Sequence, residues 1–515
     1  MMRNGVYRLL IAAASVVFSP QTAAAAWGPE QNIIPPAQAY GGSWTASNNA
    51  RSLAVSGDTL FLVWTDTRIG PEFNTGNQVL FKFYDGTTWG GDTIIGYIGN
   101  WRRHNWYPSC VLDGAGRLHI VWESNEHGYY EDPFRLDYDL SYASYYQGGW
   151  SSQQHLVAGP SNAWHPVIAA TTDGKVYVCW QDDRSGGFRL YYKVLDQTGW
   201  SGDIAVPGSA VYASFPSLAS SGNAIAVAWQ DFRTGAFQIH LKEFSLSGWG
   251  PDSALSHSSQ GAYAPCLVSD AAGNYHVAWE DWRDNNAEIY YRRYDRASLT
   301  WGPEIRITAD PWRSRAPVLV CRGDTLVDVF WEDDRGGYYE IFSRQARRGG
   351  SEVWSPETTL TSGWAHSCCP AAAADSRGNL YLVWSDFNVN SASARPSLFF
   401  MSDIISPWPK SEPANYDAMP AAAALLVRAF PNPARGQATI AFTPAAGDGA
   451  NCEVKIYSIT GQRLKTLRPR LPQGGGGSAT WDGTDDRGRK VASGVYLVTL
   501  SQGGRSGMTK IMLIR

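Results

Sequence analysis

The sequence predicts an all-β protein: a seven-bladed β-propeller closed by an N-terminal strand, followed by a small Ig-like β-sandwich. Three observations carry that expectation. A stretch typified by Val-Ala-Trp-Gln-Asp-Phe-Arg at residues 227–233 recurs seven times, with its tryptophan at Trp64, Trp122, Trp180, Trp229, Trp279, Trp331 and Trp384 and spacings of 49–58 residues by subtraction. Each copy lies in the same order of four short segments, and four strands in about 50 residues, repeated, mark a propeller blade. Aromatic residues make up 13% of the chain against only 17% charged, with 52 glycines, which suits short aromatic strands joined by glycine turns rather than long charged helices.

The fourth copy shows the parts. Phe215–Ala219 is a short strand that begins at a proline, and after Gly222 the run Ala224–Gln230 is an apolar strand carrying the tryptophan. Asp231–Ala236 is a polar turn, Gln238–Phe244 alternates as a half-exposed strand does, and Gly248-Trp249 starts a fourth. No segment of helical length fits between the turn signals, which excludes a helical solenoid, and a sandwich does not repeat one motif seven times.

The fourth-strand motif, Trp-(Gly/Ser)-x-(Glu/Asp or similar), starts at Trp89, Trp150, Trp200, Trp249, Trp301 and Trp354. A further copy, Trp27-Gly-Pro-Glu30, stands near the start, while the seventh blade, Pro370 through Phe400, has no clear fourth strand of its own. Residues 27–34 are therefore expected to pair as the outer strand of the last blade and cover an edge otherwise open.

Around this core, residues 1–26 read as a secretory signal. Arg3 and Arg8 form its basic region, Leu9–Phe18 its apolar run and Thr22–Ala26 its small residues, with cleavage expected near Ala26. The propeller is expected over 27–403 and a Pro/Ala-rich linker over 404–427. The sandwich is expected over 428–515, from the strand-like Val454–Tyr457, Ala479–Asp482, Gly494–Leu500 and Lys510–Ile514. No later stretch holds 18 uninterrupted apolar residues, so no transmembrane anchor is expected. A net charge of −4 offers no polybasic surface for nucleic acid. Seven cysteines leave an odd one; most sit in apolar runs as small core residues, and adjacent Cys368-Cys369 is unusual.

The last stretch resembles the Ig-like domain named after the flagellar hook-capping protein and the sorting domains of type IX secretion. The matching pieces are Phe430-Pro-Asn-Pro-Ala-Arg-Gly436, Ile456-Tyr-Ser-Ile-Thr-Gly461, Trp481-Asp-Gly-Thr-Asp-Asp-Arg-Gly488, Ser493-Gly-Val-Tyr-Leu497 and Lys510-Ile-Met-Leu-Ile-Arg515. The resemblance implies a bacterial protein secreted or held at the cell surface, with export machinery as a partner of this domain. The repeats of 27–403 resemble those of exported sialidase-like, or BNR-like, propellers. The sialidase box Ser-x-Asp-x-Gly-x-x-Trp and the Arg-Ile-Pro signature are missing, and sialidases usually have six blades.

Five copies keep the turn pair intact: Asp66/Arg68, Asp182/Arg184, Asp231/Arg233, Asp281/Arg283 and Asp333/Arg335; the seventh reads Asp386/Asn388. One reading has the Asp accepting backbone N–H groups and the Arg bracing a neighbouring loop; the other has a ring of charged groups for a ligand. Repetition favours the first, because catalysis needs a few groups in distinct environments.

Of 23 tryptophans, seven fall outside both repeated motifs: Trp44, Trp101, Trp106, Trp164, Trp282, Trp312 and Trp364. Trp282 lies in a turn between second and third strands and the other six in loops between blades, so all map to one face, as a ligand surface or a packed plug. Blade 2 breaks the repeat. Its leading loop reads Trp101-Arg102-Arg103-His104-Asn105-Trp106-Tyr107, and its turn carries Glu123, Glu126, His127, Tyr129, Tyr130, Glu131 and Asp132. His165, Arg313, Arg315 and His366 occupy equivalent loops of other blades. An ordinary insertion with solvated charges explains blade 2 equally well. No cofactor is expected, calcium has no supporting motif, and no spacing supports a metal site from His104, His127, His165 and His366.

Three functions remain open from the residues. The first is a non-catalytic face binding an extracellular glycan or surface protein. The second is a glycoside hydrolase or polysaccharide lyase using Glu126 with Arg102 or Arg103. The third is a purely structural surface protein.

Overall fold

The computed structural model describes residues 27–34, 43–45, 51–67, 77–96, 104–125, 138–159, 161–209, 212–323, 326–347, 353–362, 366–387, 396–403, 427–430, 434–442, 452–458, 463–469, 477–502 and 505–514. Among them every regular element is a strand, and no helix is long and apolar enough to cross a membrane. The chain divides into two compact units, Met1–Trp408 and Pro409–Arg515. The signal segment, most of the linker, and Arg68, Trp101, Arg102, Arg103, Glu126 and Trp364 lie outside the described residues.

The first unit is a ring of seven antiparallel sheets. Blade 4 is representative. Ser214–Ser221 pairs with Ala224–Asp231, which pairs with Gln238–Ser245, and the short segments Gly248–Trp249 and Ser253–Ala254 both pair with that third strand. The second strand of each blade reads as an unbroken apolar run because it is covered on both faces. Its tryptophans Trp64, Trp122, Trp180, Trp229, Trp279, Trp331 and Trp384 are all fully buried. Truncating one of these to alanine costs about 3–5 kcal/mol.

Blades are joined edge to face through the fourth-strand tryptophans. Trp150 of blade 2 meets Phe81 of blade 1, Trp200 meets Tyr142, Trp249 meets Tyr192 and Trp354 meets Tyr291, each T-shaped with centroids 5.0–5.5 Å apart. The motif that ends one blade thus anchors it on the third strand of the blade before.

Closure follows the same rule. Gln31–Asn32 pairs antiparallel with Pro396–Asp403, matching Gln31 to Phe400 and Asn32 to Phe399. Gly28 N donates to Ser402 O at 2.7 Å and Ile33 N to Leu398 O at 3.0 Å. Trp27 also packs edge to face on the preceding blade, but on Phe330 of the second strand of blade 6 rather than on a third-strand ring. Ile33 and Ile34 are buried in a cluster that also holds Leu53 and Trp64 of blade 1 and Phe400 of blade 7. First strands contact one another all round the ring and enclose a central cavity of about 330 Å³.

The second unit is a two-sheet sandwich. Val427–Phe430, Ala438–Phe442 and Gly477–Trp481 form one sheet. Ala434–Arg435, Arg505–Ile514, Gly494–Gln502, Cys452–Ser458 and Arg463–Leu467 form the other. Trp481, Ile440, Ile456, Val498 and Ile511 fill the space between them, and the Trp481 indole N–H donates to Thr484 O at 2.9 Å.

Candidate functional site: the bulged rim of the propeller

The repeated Asp-x-Arg pairs form a closed frame. In blade 3, Asp182 accepts the indole N–H of Trp180 at 3.0 Å, the backbone N–H of Arg184 at 2.9 Å, and Arg184 Nε and Nη2 at 2.8 and 2.6 Å. The other guanidinium nitrogen donates to Asp203 at 2.6 Å, which is the acid of the fourth-strand motif in the same blade. The same triad recurs as Asp231–Arg233–Asp252, Asp281–Arg283–Glu304 and Asp333–Arg335–Glu357. Arg184, Arg283 and Arg335 also lie over Tyr191, Tyr290 and Phe342, with the guanidinium 4.2–4.6 Å from the ring centre. Burial alone would raise the Asp231 carboxyl, but the bonds from Arg233 and Trp229 outweigh it and hold it at about 2. Every charge in the frame is answered, so the frame offers a ligand little.

Blades 2 and 7 depart from it, and in blade 1 the arginine of the pair, Arg68, lies outside the described residues. Asp66 accepts Trp64 at 2.8 Å. In blade 2, Trp122 donates instead to Asn105 Oδ1 at 2.9 Å, so a residue of the first strand replaces the missing turn aspartate. Asp386 accepts the Ser367 hydroxyl at 3.0 Å, and burial raises its carboxyl above the ordinary range.

In four blades the residue after the motif tryptophan reaches toward the next blade. Glu123 accepts the backbone N–H of His165 at 2.6 Å, Gln181 that of Phe215 at 2.9 Å, Gln230 that of Ala264 at 3.0 Å and Glu332 that of Cys369 at 3.0 Å. These four residues share a conformation with Tyr107 and Ala316, the equivalent positions of blades 2 and 6: all six have φ between 46° and 54°. Each precedes a proline and sits at a register shift in the first strand. A left-handed non-glycine residue costs roughly 1–2 kcal/mol, so the cross-blade hydrogen bond offsets a real penalty.

This corrects the placement of several candidates. His104, Trp106, Trp164, His165, Arg315 and His366 belong to the opening residues of the first strands, not to loops between blades. The strand pairing continues past the proline because the bulge absorbs it. His104, Trp106, Tyr107, His165 and Phe215 make a run of ring contacts with centroid separations of 4.4–6.2 Å. Burial lowers the His165 imidazole to about 4, so this run is uncharged at neutral pH. Trp164 packs instead against Tyr138 and Phe188, and His366 against Tyr338 and Tyr339. Trp312 is 48% exposed, and Arg313 lies over Trp282 at 6.0 Å. Trp44 pairs through its backbone with Thr65.

Two candidates, Trp282 and Arg315, come together in one cavity. It measures about 590 Å³ and is lined by Phe215, Gln230, Gln260, Tyr263, Ala264, Glu280, Trp282, Arg315, Ala316, Glu332 and Cys369. Trp282 donates to Glu280 at 2.8 Å, which fixes the indole plane. Arg315 reaches Glu280 only at 3.6 Å and Tyr339 at 3.5 Å, and its buried Nε–H has no hydrogen-bond partner. Burial raises the Glu332 carboxyl, against the pull of the Cys369 N–H, and burial with the Glu280 charge raises the Tyr263 phenol. Because Phe215 lines the cavity and stacks on His165, the aromatic run leads from blade 2 to the cavity wall.

The FlgD Ig-like domain family matches residues 431–506. Among curated proteins no sequence match is found. Among solved structures, the chain is similar to a polysaccharide lyase described as a PL25 ulvanlyase, at 11% identity and TM-score 0.49 over 70% of this chain and 93% of that one. It is also similar to the phage phi92 endosialidase, at 10% identity and TM-score 0.42 over 92% and 87%. A Penicillium chrysogenum α-L-arabinanase follows at 13% identity and TM-score 0.38 over 56% and 93%. At these scores nothing about activity follows from the likeness.

Tyr263, Gln260, Glu280 and Glu332 line the same cavity, and reading the sequence for off-pattern tryptophans does not reveal them. A signal for the two glutamates does exist: the position after each motif tryptophan is Thr65, Glu123, Gln181, Gln230, Glu280, Glu332 or Ser385, polar throughout in otherwise apolar strands.

Proposed function

We propose that the bulged rim of the propeller binds a saccharide chain without cleaving it, with its principal subsite in the cavity between Tyr263, Trp282 and Arg315. The observation that carries this reading is the Arg315 Nε–H, which has no acceptor within hydrogen-bond distance and faces Glu280 at 3.6 Å, in a cavity walled by aromatic rings. A buried donor left unpaired costs about 1–3 kcal/mol, which a ligand oxygen recovers on binding. Flat indole and phenol faces suit the apolar faces of sugar rings, and Glu280, Glu332, Gln230 and Gln260 offer acceptors and amides for hydroxyl groups. The aromatic run toward His104 suits an extended ligand rather than a single sugar. On this reading the protein works outside the cell or on its surface, with the C-terminal domain as its export address or anchor.

The deciding experiment is a glycan array probed with the full chain lacking residues 1–26, run beside cleavage assays on every sugar that binds. Binding without new reducing or unsaturated ends supports the reading; an array with no signal above a denatured control overturns it. A second reading, hydrolysis, draws on the two carboxylates of Glu280 and Glu332 lining one cavity. Turnover lost in Glu280→Gln would establish it in place of the first.

A further inference from the structure

We propose that Glu332, Cys368 and Cys369 form a zinc site at the wall of this cavity. Adjacent residues of a regular strand point to opposite faces. Cys368 and Cys369 escape that rule, because Cys369 has a φ of 54° and the register of His366–Ala374 shifts between Cys368 and Ala371. One Sγ from each cysteine and a carboxylate oxygen of Glu332 all lie within 4.8 Å of one another.

The backbone of Cys369 is fixed on both sides. Its N–H donates to Glu332 at 3.0 Å and its carbonyl accepts the hydroxyl of Thr45. Cys368 and Cys369 are half-buried and Glu332 is buried beneath them, so an ion reaches the site from the cysteine side. Because Cys369 and Glu332 line the cavity, the fourth position of a tetrahedral ion faces the ligand space.

Two sulfurs and one oxygen are a donor set for zinc: thiolates exclude magnesium and calcium, and a carboxylate completes a borderline ion better than a soft one. Zinc–sulfur distances of about 2.3 Å and zinc–oxygen distances of about 2.0–2.2 Å are met by drawing the three donors together by about an ångström. Binding is balanced by release of the two thiol protons to solvent, the carboxylate entering as it stands. This assignment is independent of the saccharide reading, since it is tested in the absence of sugar.

The test uses the full chain lacking residues 1–26, reduced and freed of metal. Titration with cobalt(II) is expected to give a thiolate-to-metal charge-transfer band in the near ultraviolet at one equivalent, and zinc is expected to bleach it. Cys368→Ser and Cys369→Ser should each abolish most of that band, Glu332→Gln should weaken zinc affinity tenfold or more, and Cys452→Ser should leave both unchanged. A reduced protein giving no charge-transfer band overturns the proposal, and so does a band that survives in the Cys368→Ser/Cys369→Ser double variant. Circular dichroism of each variant separates lost metal from a lost fold. Zinc bound with no glycan bound would remove the saccharide reading and leave this one standing.

Discussion

The carboxyl of Glu123 accepts the backbone N–H of His165 at 2.6 Å, across the seam between blades 2 and 3. The same position is glutamine in blades 3 and 4 and glutamate in blades 5 and 6, so one geometric role is filled by two chemistries. Burial pushes the Glu123 carboxyl up to about 8, against the opposing pull of the His165 N–H. An acid whose folded value is raised favours the folded state when protonated. Its contribution is therefore greatest below the unfolded value of about 4.5 and falls as pH rises from there to about 8. Glu123→Gln keeps the acceptor and removes the titration. The melting temperature of this variant should exceed that of the parent at pH 8 by roughly 2 °C or more and match it near pH 4.5. Scanning calorimetry at both values checks it, and an equal difference at the two would sink the argument.

The turn frame has the opposite sign. Asp231 is held at about 2, below the ordinary 3.8, so its contribution is full above about 4 and is lost as pH falls toward 2. Arg233→Met removes the guanidinium bonds to Asp231 and Asp252 while leaving the apolar stem. A loss of about 2 kcal/mol at neutral pH is expected, for broken hydrogen bonds to charged groups. In acid titrations followed by tryptophan fluorescence, the unfolding midpoint of the variant should lie at higher pH than that of the parent.

Ring closure gives a third expectation. Removing residues 27–34 exposes the edge of Pro396–Asp403 and strips Ile33 and Ile34 from a buried cluster. The propeller should then melt at a clearly lower temperature, or fail to stay soluble. Ile34→Ala is the milder probe, with an expected loss of about 2–5 kcal/mol in denaturant titration. A shortened chain melting with the parent would mean that the ring closes by other contacts.

For ligand binding, position in the cavity should outrank mere exposure. Trp282→Ala and Arg315→Met should each weaken the strongest glycan from the array by about tenfold, since 1.4 kcal/mol corresponds to that factor. Trp312→Ala, which alters the more exposed indole outside the cavity lining, should change affinity less than twofold. Calorimetric titration of the three variants decides between a cavity site and a diffuse aromatic surface.

The architecture was legible because the propeller repeats its instructions. The tryptophan register located every second strand, and the missing fourth strand of blade 7 pointed to residues 27–34. The fourth-strand acids were visible as a motif, yet their role was not, because Asp203 meets Arg184 only once the blade folds back on itself. Glu332 and Cys369 were harder still, since their meeting depends on a bulge and on the packing of successive blades. Trp282 stood out as an off-pattern tryptophan and Arg315 by its position equivalent to the blade 2 leading loop, while Tyr263 draws no notice in so aromatic a chain. Of the blade 2 candidates, His104 and Trp106 are placed in the first strand, while Arg102, Arg103 and Glu126 lie outside the described residues.

The pairing of Gln31–Asn32 with Pro396–Asp403 has a consequence for assembly in time. The outermost strand of the last blade is among the first segments of the propeller to be synthesised, and its partner is the last. Until that partner arrives, blade 7 lacks an edge and blade 1 lacks the neighbour that covers Leu53 and Trp64. Blades 2 to 6 can stack as they emerge, but the circle latches only when both ends are present together. A chain interrupted before residue 396 would be an open arc with two sticky ends, the form most prone to pair with another copy of itself.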